Sequence, residues 1–141
     1  MESIQVQGPG PVSEAPARSL RVLLVEDSIT VRLWIGHQVL ALFPTAKLLE
    51  AEDGKTAIRM LSQHSVDLVI TDLRMPGMDG QDLVQMLKRN PLLRRKPVLV
   101  VSAEAQDAQS SAWSQEPGLR LLPKPVTSKA FQAALLGLLG A

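Results

Sequence analysis

The chain has no cysteine and no tyrosine among its 141 residues. Without thiols there are no disulfides and no thiolate metal centres, as expected of a protein from a reducing compartment. Charge of one sign is also missing: the formal net charge is +1, so no global field draws the chain to nucleic acid or to an anionic membrane. No apolar run reaches the roughly 20 residues needed to span a bilayer, and the stretch Met1–Ser19 lacks the apolar core of a signal peptide. These absences predict a cytoplasmic protein with no membrane or nucleic-acid partner.

What is present suits one domain: 45% apolar and 21% charged residues in a length able to bury a core. Residues 1–19 carry Gly8, Pro9, Gly10, Pro11 and Pro16 with little hydrophobic pattern. Such a segment buries too little apolar surface to offset its ordering entropy, so a disordered leader is expected there and an ordered domain over 20–141.

From Leu20 onward, short apolar runs alternate with segments of helical period. The runs are Arg21–Val25, Ala46–Ala51, Val66–Thr71, Pro97–Val101 and Leu119–Leu122. Three of them are continuously apolar, the pattern of strands covered on both faces in a parallel sheet. The helical segments are Ser28–Leu42, Gly54–Gln63, Gly80–Arg89, a weakly patterned Ala105–Ser114, and Thr127–Leu139. Ser28 and Thr127 are placed as N-caps, and Val31, Ile35, Val39 and Leu42 form one stripe on the first helix. Five strands alternating with five helices predict a doubly wound (βα)5 three-layer sandwich with a five-stranded parallel sheet. Right-handed crossovers then place a ligand crevice at the carboxyl ends of the strands.

Chemistry gathers at those ends. Glu26 and Asp27 follow the first strand, Asp72 the third, Ser102 the fourth and Lys124 the fifth. Three carboxylates packed together repel one another, and a hard divalent cation relieves that cost. Mg2+ suits a site offering carboxylates, water and a phosphate oxygen. Its charge also keeps Asp72 ionised, and an ionised carboxylate beside Mg2+ is a nucleophile towards phosphorus. Phosphoryl transfer further needs its equatorial oxygens neutralised, which Lys124 and Ser102 can supply. The expected product is an aspartyl phosphate on Asp72.

The acidic pair Glu26-Asp27, the stretch Asp72-Leu73-Arg74-Met75-Pro76-Gly77-Met78-Asp79-Gly80, Ser102-Ala103-Glu104 and Lys124-Pro125 occur in that order and at matching separations. Together they resemble a bacterial response-regulator receiver domain of the chemotaxis-regulator type, over about Leu20 to Ala141. The resemblance implies a flavodoxin-like strand order of 2-1-3-4-5. It implies that Asp72 takes phosphate from a sensor histidine kinase or phosphotransfer protein, with Mg2+ held by Asp27, Asp72, Glu26 through water, and the backbone carbonyl of Arg74. Ser102 and Lys124 would contact the phosphoryl group and couple it to the binding of a downstream protein target. A cis Lys124-Pro125 bond is expected on the same ground, and the chain would be a monomer or weak dimer that catalyses only its own phosphorylation and dephosphorylation.

Departures from that family pattern are specific. Leu121 occupies the place of a switch Tyr or Phe, Val126 the place of Phe after Lys-Pro, and Pro117-Gly118 the place of Gly-Ala. Arg74, two residues after the acceptor, is placed to crowd the crevice or pair with Glu104. Three alternatives remain open: the receiver of a longer DNA-binding or enzymatic regulator, a degenerate receiver acting as an interaction module, and an Mg2+-dependent phosphatase with an aspartyl nucleophile. The last usually needs an acid where Arg74 stands. Asp53, Asp67, Asp79 and Asp82 read as caps and turn residues, His37 and His64 as surface positions, and Trp34 and Trp113 as packing residues. The basic cluster Lys88, Arg89, Arg94, Arg95 and Lys96 reads first as a solvated face.

Overall fold

The structure is a computed structural model, and it describes residues 19–73, 80–103 and 118–140. Its elements are β1 (Arg21–Val25), α1 (Ile29–Leu42), β2 (Lys47–Ala51), α2 (Gly54–Gln63), β3 (Leu68–Thr71), α3 (Gly80–Arg89), β4 (Val98–Ser102), β5 (Leu119–Pro123) and α4 (Ser128–Leu139). The leader up to residue 18, Arg74, Asp79, Glu104, the helical segment expected over Ala105–Ser114 with Trp113, and Pro117 lie outside the described residues.

All five strands are parallel, in the order β2-β1-β3-β4-β5. This is the expected doubly wound sheet in its 2-1-3-4-5 order. Every residue of β3 and β4 is buried, because helices cover both faces of these central strands. Alternate side chains feed two cores. Val22, Leu24, Leu68, Ile70, Leu99 and Val101 face α1 and α4, where Ile35, Val39, Phe131 and Leu135 meet them. Leu23, Val25, Val69, Val98 and Val100 face the opposite way, onto Ala57, Leu61, Leu83, Val84 and Leu87 of α2 and α3.

The helices start where their caps direct. Ser28 Oγ accepts from Val31 N at 3.3 Å, Asp53 Oδ1 from Thr56 N at 2.8 Å, and Thr127 Oγ1 from Ala130 N at 3.1 Å. Gly140 closes α4 with a left-handed φ of 71°, a conformation that glycine adopts without a Cβ clash.

Several boundaries differ from the sequence reading. β2 begins at Lys47 rather than Ala46, and β3 begins at Leu68, because Val66 and Asp67 turn aside. Asp67 Oδ2 accepts from Arg21 N at 2.8 Å while its own N–H donates to Arg21 O, which ties the entrance of β3 to the start of β1. β4 runs one residue later than expected, through Ser102, and β5 reaches Pro123, since Lys124 N donates to Ser102 O and prolongs that ladder. Leu136 and Leu139 of α4 are half-buried, not core; Ala134 takes the buried place. The stripe on α1 is not its only apolar surface, for Ile29 and Leu33 are 65% and 58% exposed.

Candidate functional site

Backbone hydrogen bonds at the carboxyl edge of the sheet set the site. Glu26 N donates to Ala51 O at 3.0 Å, Asp72 N to Val25 O at 3.1 Å, and Lys124 N to Ser102 O at 3.1 Å. Each residue therefore sits one step beyond its strand, anchored to the neighbouring strand. Side chains leaving these positions converge above β1 and β3, with Ser102 buried at the end of β4.

Glu26, Asp27 and Asp72 each bring a carboxylate oxygen within 4.8 Å of the other two. Glu26 and Asp72 are buried while Asp27 is exposed at the mouth. Lys124 Nζ lies 3.0 Å from Asp72 Oδ2 and 3.4 Å from Glu26 Oε1, so one ammonium group bridges two of the three acids. Of the residues singled out in the sequence, Glu26, Asp27, Asp72 and Lys124 meet in one crevice, and Ser102 ends the strand beside it. Arg74 lies outside the described residues.

Electrostatics follow from this crowding. Burial pushes the Glu26 carboxyl up to about 7; the nearby charge of Asp72 and a hydrogen bond with Asp27 add to the rise, while the Ser28 amide and Lys124 oppose it. Burial pulls the Lys124 ammonium down, but its hydrogen bond and Coulomb attraction to Asp72, with help from Glu26, outweigh that and hold it above the usual lysine value. Lys124 is thus firmly cationic at neutral pH.

The sequence reading missed Arg32. Its Nη1 donates to the Glu26 carbonyl at 2.6 Å and its Nε pairs with Glu50 at 2.7 Å, which fixes the backbone that carries the acidic pair. Arg32 lies in the first turn of α1, and only the parallel pairing of β1 with β2 brings Glu50 alongside. Asp53 caps α2, Asp67 caps no helix but binds the Arg21 amide at the start of β1, and His37 and His64 are exposed. Trp34 packs edge-on against Phe131, ring centroids 5.6 Å apart. The Lys124-Pro125 bond is cis. Beside Lys124, an apolar cleft of about 530 Å³ opens between α1 and the loop entering α4, lined by Val31, Trp34, Ile35, Val101 and Val126 among others.

The donor set suits a hard divalent cation: three oxygen donors, no nitrogen or sulfur, and one acid open to water. Around such a site the crevice offers a buried carboxylate able to act as a nucleophile, an ammonium group and a buried hydroxyl.

Comparison with known proteins places this geometry in context. Residues 22–136 match the family model described as "Response regulator receiver domain". A gliding motility regulatory protein of Myxococcus xanthus is 42% identical over 96 residues, which cover 67% of this chain but only 12% of that protein. The chemotaxis protein CheY of Pseudomonas aeruginosa is 34% identical over 113 residues, covering 80% of this chain and 90% of that protein. Among solved structures, the receiver domain of a Pseudomonas aeruginosa sensor histidine kinase superposes with a TM-score of 0.74 at 23% identity, covering 88% of this chain and all of that one. That likeness is one of fold. The neighbouring structure holds a magnesium ion in its active-site cleft.

Proposed function

The chain belongs to the response regulator receiver domain family, and on that premise we propose that Asp72 is its phosphoacceptor, charged by a histidine kinase or phosphotransfer protein in an Mg2+-dependent reaction. The family makes the chain a signalling module of two-component systems. The observation that carries the assignment to Asp72 is the meeting of three carboxylates within 4.8 Å, with Lys124 Nζ 3.0 Å from Asp72 Oδ2.

In this reading Asp27 and Asp72 would hold the cation directly, Glu26 would act through water, and the backbone carbonyl of Arg74, which lies outside the described residues, would complete the protein's share. When bound, Mg2+ supplies charge neutralisation for the phosphoryl oxygens. An Asp72 carboxylate oxygen attacks phosphorus, the P–N bond to the donor imidazole breaks, and the nitrogen keeps the electron pair. Lys124, which stays protonated, pairs with a second phosphoryl oxygen. The Ser102 hydroxyl donates to a third. Arg32 positions the Glu26-Asp27 turn through its bond to the Glu26 carbonyl.

Output goes through a change in the binding of a downstream protein. The position that usually carries a switch aromatic is Leu121, which is buried in the α2/α3 core, so no ring there can swing between inside and outside. The readout has to run through Ser102, Lys124 and the strand β5 that ends at the crevice. A cytoplasmic location, opposite a kinase's catalytic domain, follows from the same role. Among the described residues no helix is long and apolar enough to cross a membrane.

A second reading keeps the chemistry but makes the receiver one module of a longer regulator, as in the gliding motility relative, where the aligned stretch is 12% of the whole. Incubation with acetyl phosphate and Mg2+, read by intact mass, tests the acceptor assignment. One phosphoryl group should add to the parent and none to Asp72→Asn. Unchanged labelling of that variant would move the acceptor elsewhere, and no labelling of the parent would leave an interaction module.

A further inference from the structure

At the end of the sheet opposite the acidic crevice, α2 and α3 part to leave a recess of about 330 Å³. Ile58, Leu61, Met86, Leu87, Leu92 and Leu93 give it an apolar lining. Met86 is 42% exposed and Leu92 86% exposed, so large apolar side chains stand in water at its rim. Isolated exposed leucines are ordinary, whereas two beside a lined recess form a patch.

The rim turn is held in place by its own hydrogen bonds. Leu92 N donates to Asn90 Oδ1 at 2.8 Å, Leu93 N and Arg94 N donate to Asn90 O, and Lys96 N to Leu93 O. Lys88 Nζ donates to the Arg94 carbonyl at 3.1 Å and ties the turn back to α3. Leu92 is therefore presented outward by a built turn, and a partner would not have to order it.

Among the described residues the rim of the recess is mostly basic. Lys88 and Arg89 end α3, Arg94, Arg95 and Lys96 follow Leu92 and Leu93 in the rim turn, and Arg59 is next to Ile58 on α2. No acidic residue occurs between Asp53 and Asp67 or between Asp82 and Glu104. Asp53 and Asp82 stand at the starts of α2 and α3, the ends of those helices away from the recess. His64 caps α2, Arg21 and Lys47 begin β1 and β2, and Asp67, the acid at the entrance of β3, has its carboxylate engaged by the Arg21 amide. In a chain of net charge +1, this end of the molecule is strongly basic.

We propose that this recess docks an acidic amphipathic segment of a partner protein, its apolar side chains entering between α2 and α3 and its carboxylates pairing with the basic rim. A flat bilayer cannot fill a recess between two helices, and nucleic-acid phosphates would leave its apolar lining uncovered. An amphipathic acidic peptide satisfies both the lining and the charges. The strands are parallel and Asp72 lies at their carboxyl ends, so this surface and the crevice can be occupied together.

Selection of a phage-displayed random peptide library on the full chain tests the proposal. Enriched peptides should combine Asp or Glu with Leu or Phe at helical spacing. A synthetic peptide of that consensus should bind Asp72→Asn as well as the parent. Its affinity should fall by about tenfold or more for the Arg94→Glu/Arg95→Glu double variant and for Leu92→Asp, and by less for Arg94→Gln/Arg95→Gln, the mildest of the changes. Circular dichroism checks that each variant is folded. Enrichment without acidic residues, or affinity indifferent to these changes, overturns the proposal. So does tight binding of phosphatidylglycerol vesicles or duplex DNA at physiological salt that the same variants abolish while no peptide binds.

Discussion

Lys124 Nζ stands 3.0 Å from Asp72 Oδ2. The same nitrogen is 3.4 Å from Glu26 Oε1, so the ammonium already neutralises part of the charge that a divalent cation would meet. Under the proposed function a bound cation and the lysine would compete electrostatically for the same acids, and both would be needed when a phosphoryl group arrives.

Lys124→Gln should therefore tighten Mg2+ binding while slowing phosphorylation. Lys124 is partly exposed, which screens its field, so the gain in Mg2+ affinity is about 1 kcal/mol, or roughly fivefold. The rate with acetyl phosphate should fall by about tenfold or more, because a charged partner for a transition-state oxygen is gone. Calorimetric Mg2+ titration and time-resolved intact mass give the two numbers. Weaker Mg2+ binding in the variant would contradict the competition described here.

Val126 leaves the apolar cleft beside Lys124 unfilled, where the family pattern has Phe. Val126→Phe places a ring against Trp34, Ile35 and Val101 and should stabilise the fold by about 1 kcal/mol, the usual gain of filling an apolar cavity. Urea unfolding measures it. A loss of stability would mean that the ring meets the walls of the cleft rather than its space.

Phe131 is fully buried and meets Trp34 edge to face, joining α1 to α4 over one sheet face. Phe131→Ala should cost about 3–5 kcal/mol, from lost transfer energy and the cavity left behind. That is a large share of the roughly 5–15 kcal/mol typical of a domain. Equilibrium denaturation reads the loss directly, and a cost below about 1 kcal/mol would show that the helices collapse into the gap.

Much of this was legible in the sequence for a physical reason. Continuous apolar runs such as Val98-Leu99-Val100-Val101 belong to strands covered on both faces, and the parallel order then brings Glu26, Asp72 and Lys124 to one edge. What could not be read was set by tertiary partners. Asp67 leaves β3 because Arg21 N needs an acceptor, and β4 gains Ser102 because Lys124 N reaches its carbonyl. Arg32 escaped notice because its partners, the Glu26 carbonyl and Glu50 of β2, meet it only in the folded chain. The exposed Ile29 and Leu33 escaped too, since helical period marks the buried stripe of α1 and says nothing about apolar residues outside it.

Glu26 gives the fold a pH dependence whose direction is fixed by its environment. Its carboxyl titrates near 7 in the folded protein against 4.5 without burial, so between those values the folded state holds a proton that the unfolded state releases. The stabilisation is fully present below about pH 4.5 and is lost as pH rises through 7. At about 1.4 kcal/mol per pH unit of difference, and allowing for coupling to Lys124 and Asp72, the loss is on the order of 2–3 kcal/mol. Glu26→Gln carries no such proton. In chelator, urea unfolding should find parent and variant of similar stability near pH 5 and the variant ahead by that amount near pH 8. Added Mg2+ rewards the ionised carboxylate, so it should recover the parent at pH 8 more than the variant. A gap between the two proteins that stays constant from pH 5 to 8 would mean that Glu26 is ionised throughout, with Lys124 rather than burial governing its charge.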